Sequence, residues 1–130
     1  MLAAFLAEHR GETGAVIREL ERAMAIYPGP AGTPGSTTGS LLRFELGRRY
    51  LASGDFPAAH RQLESFYSWD FIPNGVVGVL ELQRGQVAEG LGQPEEAKVH
   101  YGNVVRWWKD CDPEARPVFE TARAALGRLR

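Results

Sequence analysis

Cysteine is nearly missing from this chain: Cys111 is the single one in 130 residues. An internal disulfide is therefore impossible, and a zinc site built on paired cysteines is excluded. Lysine is almost as scarce, occurring only at Lys98 and Lys109, so arginine carries the positive charge. The formal net charge of −1 leaves no basic surplus for nucleic-acid phosphates or an anionic membrane surface. Long apolar runs are missing too, and nothing approaches the ~20 residues of a membrane-spanning helix. The short apolar start, Met1 to Ala7, has no basic residues before it and meets Glu8-His9-Arg10 directly. That pattern predicts a helix beginning at Met1 and no secretory leader, hence a cytoplasmic protein. Strict apolar–polar alternation is absent as well, which predicts an all-α chain.

What is present reads as a series of helices. Hydrophobic residues make up 44% and charged residues 24%, an ordinary balance for a globular domain. Residues 1–10 and 14–27 read as helices, the second with Ile17, Leu20, Ala23, Met24 and Tyr27 on one face and Pro28 as its stop. Residues 29–40 hold small and breaker types throughout and predict a flexible Gly/Pro/Ser/Thr linker. Ser40 is then the expected N-cap of helix 41–53, with Gly54 as its left-handed stop. Asp55 caps helix 56–69, Pro73-Asn74-Gly75 precedes helix 76–90, Pro94 opens helix 94–109, and Asp112-Pro113-Glu114 starts a last helix to about Leu129.

A spacing then recurs. Gly47, Tyr50, Gly54, Ala59, Leu63 and Phe66 are followed by Gly85, Ala88, Gly92, Ala97, Tyr101 and Val104, each 38 positions later. A weaker copy, Gly11, Val16, Leu20 and Ala23, precedes the first; Gly11 lies 43 positions before Gly54. Small residues at fixed places in a period of this size signal stacked helical hairpins. Gly47 and Gly85 would let the two helices of a hairpin approach closely, while Gly54 and Gly92 would supply the positive φ of the turn. The pattern resembles the tetratricopeptide-repeat (TPR) family, best over 43–73 through Leu46-Gly47, Tyr50, Gly54-Asp55, Ala59, Leu63 and Phe66. The second copy departs from it at Arg84, Ala88 and Lys109, and both spacings exceed the family's ~34 residues. Tyr101 to Pro113 and the helix after them look like the closing segment of a bacterial TPR array. The resemblance implies an all-α fold of stacked antiparallel hairpins, a TPR-like α-solenoid. It would comprise a degenerate first hairpin at 1–28, the linker at 29–40, and two TPR-like hairpins with a C-terminal capping helix at 41–130. On that helix Val118, Ala122, Ala125, Leu126 and Leu129 form the apolar stripe, as a solenoid cap needs.

By the same resemblance, the first helices of the repeats would line a groove for a peptide or protein segment. On helix 41–53, Leu42, Leu46, Gly47 and Tyr50 face the hairpin partner, while Leu41, Phe44, Arg48 and Leu51 face away. On helix 76–90, Gln86 and Glu89 continue that wall. These six are the candidate binding residues; the alternative is that the apolar ones pack on neighbouring helices. Arg43, Arg48 and Arg84 would imitate part of the family's carboxylate clamp, but its lysine and asparagine are missing. No cofactor or metal is expected. His60 and Glu64 share a helix face without HExxH or CxxC, and Cys111 lies between Asp110 and Asp112, the reverse of the electropositive surroundings that activate a thiol. Trp108 is expected in the core and Trp107 at its edge near His100. The expectation is thus a scaffold or adaptor and not an enzyme, with a protein or peptide partner and neither nucleic acid nor membrane. The alternative is structural self-assembly into a homo-oligomer through the uncapped N-terminal hairpin.

Overall fold

The computed structural model describes residues 11–26, 37–65 and 74–130, and all secondary structure among them is helical. The expected helix 1–10, residues 27–36 of the stop and linker, and residues 66–73 lie outside the described residues. The chain divides into two compact units, Met1–Phe71 and Ile72–Arg130.

The first unit holds α1 (Thr13–Met24), α2 (Thr37–Ser53) and α3 (Phe56–Leu63). Val16 and Leu20 of α1 bury against Leu42 and Leu46 of α2, with Ala23, Met24 and Tyr50 partly buried around them. The apolar face of α2 therefore serves α1 as well as its hairpin partner α3. This explains why α2 and α3 belong to one unit with α1, although the sequence pattern groups them with the second hairpin. α2 also starts at Thr37, inside the stretch expected as linker, and Ser40 is a buried helical residue and not an N-cap. Thr-Thr-Gly-Ser has weak helix propensity, but burial of Gly39 and Ser40 overrides it.

The second unit holds α4 (Asn74–Gly90), α5 (Pro94–Trp107), a 3₁₀ turn (Pro113–Ala115) and α6 (Arg116–Leu129). Leu82 and Ala88 of α4, Ala97, Tyr101 and Val104 of α5, and Ala122 and Ala125 of α6 form one core, with Val118, Leu126 and Leu129 packed on it. The final helix thus covers the second hairpin with the stripe read from the sequence. Phe119 is buried as well, and the sequence reading had omitted it.

The turns of the two hairpins have the same hydrogen bonds 38 residues apart. Asp55 N donates to Tyr50 O (2.9 Å) and Gly54 N to Leu51 O (3.1 Å); Gln93 N donates to Ala88 O (2.8 Å) and Gly92 N to Glu89 O (3.0 Å). This is the Schellman pattern, and it requires the positive φ of Gly54 (+81°) and Gly92 (+72°). The next helix then begins alike, with Ala59 N donating to Asp55 O and Ala97 N to Gln93 O, both at 3.0 Å. Val16 N donates to Glu12 O at the same distance, after Gly11 at φ +72°. Asp55 is the expected side-chain cap, its Oδ1 accepting from Ala58 N at 3.1 Å.

The repeated glycines inside the helices also meet equivalent partners. A Cβ on Gly47 would run into the Leu63 side chain, and one on Gly85 would lie 2.5 Å from the Tyr101 ring. Leu63 and Tyr101 are themselves 38 positions apart. The missing side chain thus admits a large side chain from the other helix.

Candidate functional site

α2 places its candidate residues on a surface that is only partly apolar. Leu41 is 57% exposed, whereas Phe44 and Leu51 are half-buried. Arg48 is exposed, yet its guanidinium forks onto Glu45, with Nε to Oε2 at 3.0 Å and Nη2 to Oε1 at 2.7 Å. Arg49 Nε donates to the same Oε1 at 2.8 Å. Partial burial alone would raise the Glu45 carboxyl; the two arginines outweigh it and hold the group below its ordinary value. Arg48 is therefore a paired cation, where the sequence reading took it as a contact residue facing away from the core. Next to Arg49, Tyr50 Oη donates to Glu21 of α1. With burial and that anion beside it, the Tyr50 phenol is pushed up to about 12.

In the second unit, Gln86 and Glu89 of α4 border a hollow of about 690 Å³ whose other wall is Glu120, Thr121, Ala124 and Arg128 of α6. Glu89 is held there by three hydrogen bonds. Arg128 donates from Nη1 to Oε2 (2.8 Å) and from Nη2 to Oε1 (3.1 Å), and Tyr101 Oη donates to Oε1 (2.5 Å). The Arg128 bonds are the main reason that the Glu89 carboxyl lies below its ordinary value. Glu89 therefore ties α6 to the α4/α5 hairpin, a task that the sequence reading did not give it. Leu82, four residues before Gln86 on the same helix, is a core residue under α5 and α6.

A second hollow, of about 590 Å³, lies where the chain passes from α5 to α6. Val79 and Val118 meet Trp107, Trp108, Cys111 and Ala115 there, and Asp110, Asp112 and Glu114 stand around it. The Trp108 indole occupies the space that a side chain on Gly78 would fill. Trp107 is 42% exposed and carries the Arg106 guanidinium 5.6 Å from its ring centroid.

A buried polar cluster went unread in the sequence. Glu81 is 3% exposed. It accepts from Arg84 Nη1 through Oε1, and from Asn103 Nδ2 and His100 Nδ1 through Oε2, each at 2.9 Å. Burial pushes the Glu81 carboxyl up, but the bonds from His100, Asn103 and Arg84 win and hold it at about 2. The signal was two i, i+3 pairs, Glu81/Arg84 and His100/Asn103, on facing helices. Arg84, considered for a carboxylate clamp, thus already holds a carboxylate of its own hairpin. Among the described residues, no group of three His, Cys, Asp or Glu side chains is placed to hold a metal ion, and no helix is long and apolar enough to cross a membrane.

No family model matches the sequence, no curated protein resembles it, and no solved structure matches its fold.

Proposed function

We propose that this chain is a protein–protein interaction module of the TPR-like kind, a scaffold or adaptor that holds a peptide or protein segment on the first helices of its hairpins. The observation that carries the reading is the shared turn of the two hairpins: in each, the same three backbone bonds and one positive-φ glycine, 38 residues apart. A repeated hairpin ending in a helix with a polar outer face is how solenoid modules are built, and such modules work through the faces that their first helices leave open. Two such faces are present here. On α2, Leu41, Phe44 and Leu51 offer apolar surface around the Arg48–Glu45 pair. Between α4 and α6, the hollow beside Gln86 and Glu89 sets Tyr101, Ala124 and Ala125 among the polar Thr121 and the charged Glu120 and Arg128, and its volume lies in the range of ligand sites, roughly 300–1,000 Å³.

Selection from a random peptide library displayed on phage tests the reading without a known partner. Enriched peptides should bind the parent saturably. Burying one Phe-sized side chain contributes about 1.5–3 kcal/mol, so Phe44→Ala should weaken peptides seated on α2 about ten- to a hundredfold. Ala124→Trp, an exposed position that lines the α4/α6 hollow, should do the same for peptides seated there. Both variants should keep the parent's circular dichroism. A selection that enriches nothing, or peptides indifferent to both substitutions, would overturn it.

A further inference from the structure

We propose that the hollow between α5 and α6 seats a cationic side chain, arginine or lysine, from a polypeptide partner. The proposal rests on the reading of the chain as a polypeptide-binding module and names the chemistry of what it binds. Two indoles and two valines make an apolar floor, while every charged group that lines the hollow is a carboxylate: Asp110, Asp112 and Glu114. Asp112 and Glu114 form no ion pair among the described residues, and Asp110 has only Lys109, at 4.0 Å and largely solvent-exposed. Neither Arg106 nor Arg116 lines the hollow. Arg116 donates to the Lys109 carbonyl and lies 3.9 Å from Glu120, and Arg106 stacks on Trp107.

Charge of one sign above an aromatic floor selects for a cation with an apolar stem. A guanidinium or ammonium gains from the ring quadrupole and from the carboxylates together, while its methylenes cover the valines. The stacking of Arg106 on Trp107 shows that this ring accepts a guanidinium within its own chain. The floor is also pre-formed. Gly78 leaves room for the Trp108 indole, so the ring is seated against α4 before any partner arrives. At about 590 Å³ the hollow has room for one long side chain with part of the backbone on either side.

The test uses defined probes: the capped tripeptides Ala-Arg-Ala, Ala-Lys-Ala and Ala-Gln-Ala, titrated into the full chain. Binding is followed through the three tryptophan indole N–H signals, with Trp107→Phe and Trp108→Phe used to assign them. The Arg and Lys peptides should shift the Trp107 and Trp108 signals saturably, and the Gln peptide should leave them in place. An Asp112→Asn/Glu114→Gln double variant, altered only at exposed positions, should weaken the cationic peptides at least threefold, and added salt should act in the same direction. Equal shifts from the Gln peptide would overturn the proposal. So would affinity that ignores the double variant, or a response confined to Trp69. These outcomes are separable from failure of the interaction reading: library peptides that bind strongly but carry no basic residue would leave that reading standing and remove this one.

Discussion

One methyl group should tell Gly85 apart from Gly102. Both sit inside helices, but a Cβ at Gly85 meets the Tyr101 ring, whereas one at Gly102 meets nothing within 4 Å. Gly85→Ala should therefore destabilise by about 1–3 kcal/mol through overpacking. Gly102→Ala should stabilise by up to about 1 kcal/mol, the usual gain of alanine over glycine in a helix. Urea denaturation of the two variants checks the pair; the same sign for both would contradict the packing described. The close fit at Gly85 was legible because Gly47 repeats it. The one at Gly78 was not, because its counterpart 38 residues earlier is Ser40. Glu81 was hidden for the same reason, its counterpart being Arg43, so no repeat announced a buried carboxylate. Its titration is open to measurement. The folded group sits near 2, below the ~4.3 of an unfolded glutamate, so its contribution is fully present above about pH 4.5 and is lost as pH falls toward 2. Glu81→Gln should lower the melting temperature at pH 7 and flatten its decline between pH 4.5 and 2. An acid limb as steep as the parent's would show that other carboxylates govern it.

At the scale of elements, the turns were the most legible parts and the helix ends the least. Glycine followed by an acid or amide and then proline nearby can be read directly, since only a residue at ease with positive φ closes a Schellman turn. Gly54→Ala and Gly92→Ala should each cost about 1–2 kcal/mol, and by similar amounts, because the two turns have the same bonds. Thermal melts of the two single variants give the comparison; a neutral substitution at either position would break the equivalence of the hairpins. The start of α2 escaped notice because its first turn looks like linker by composition, and only burial of Gly39 and Ser40 shows otherwise. The packing face of α6 was legible in its stripe of Val118, Ala122, Ala125, Leu126 and Leu129. Its clasp was not: Glu89 and Arg128 are 39 residues apart, and nothing local pairs them.

At the scale of the whole molecule, a repeat of local geometry underlies the proposed function, which depends on open first-helix faces. The repeat is written in small residues whose spacing survives in the backbone bonds. The faces are harder to read from the sequence, because the residues that define them also serve the protein's own contacts: Arg48 pairs with Glu45, and Glu89 holds Arg128 of α6. A binding surface and a structural clasp use the same side-chain types, and only coordinates separate them. The proposal is that these faces hold polypeptide. Its most direct test is amide chemical-shift mapping of a library-selected peptide on the isotope-labelled full chain. Shifts should concentrate at Leu41, Phe44 and Leu51 on α2, or at Gln86, Thr121 and Ala124 beside the α4/α6 hollow, with the helix interiors around Leu20 and Val104 unmoved. Shifts spread evenly over the chain, or gathered on the outer faces of α3 and α5 at Arg61 and Val99, would contradict it.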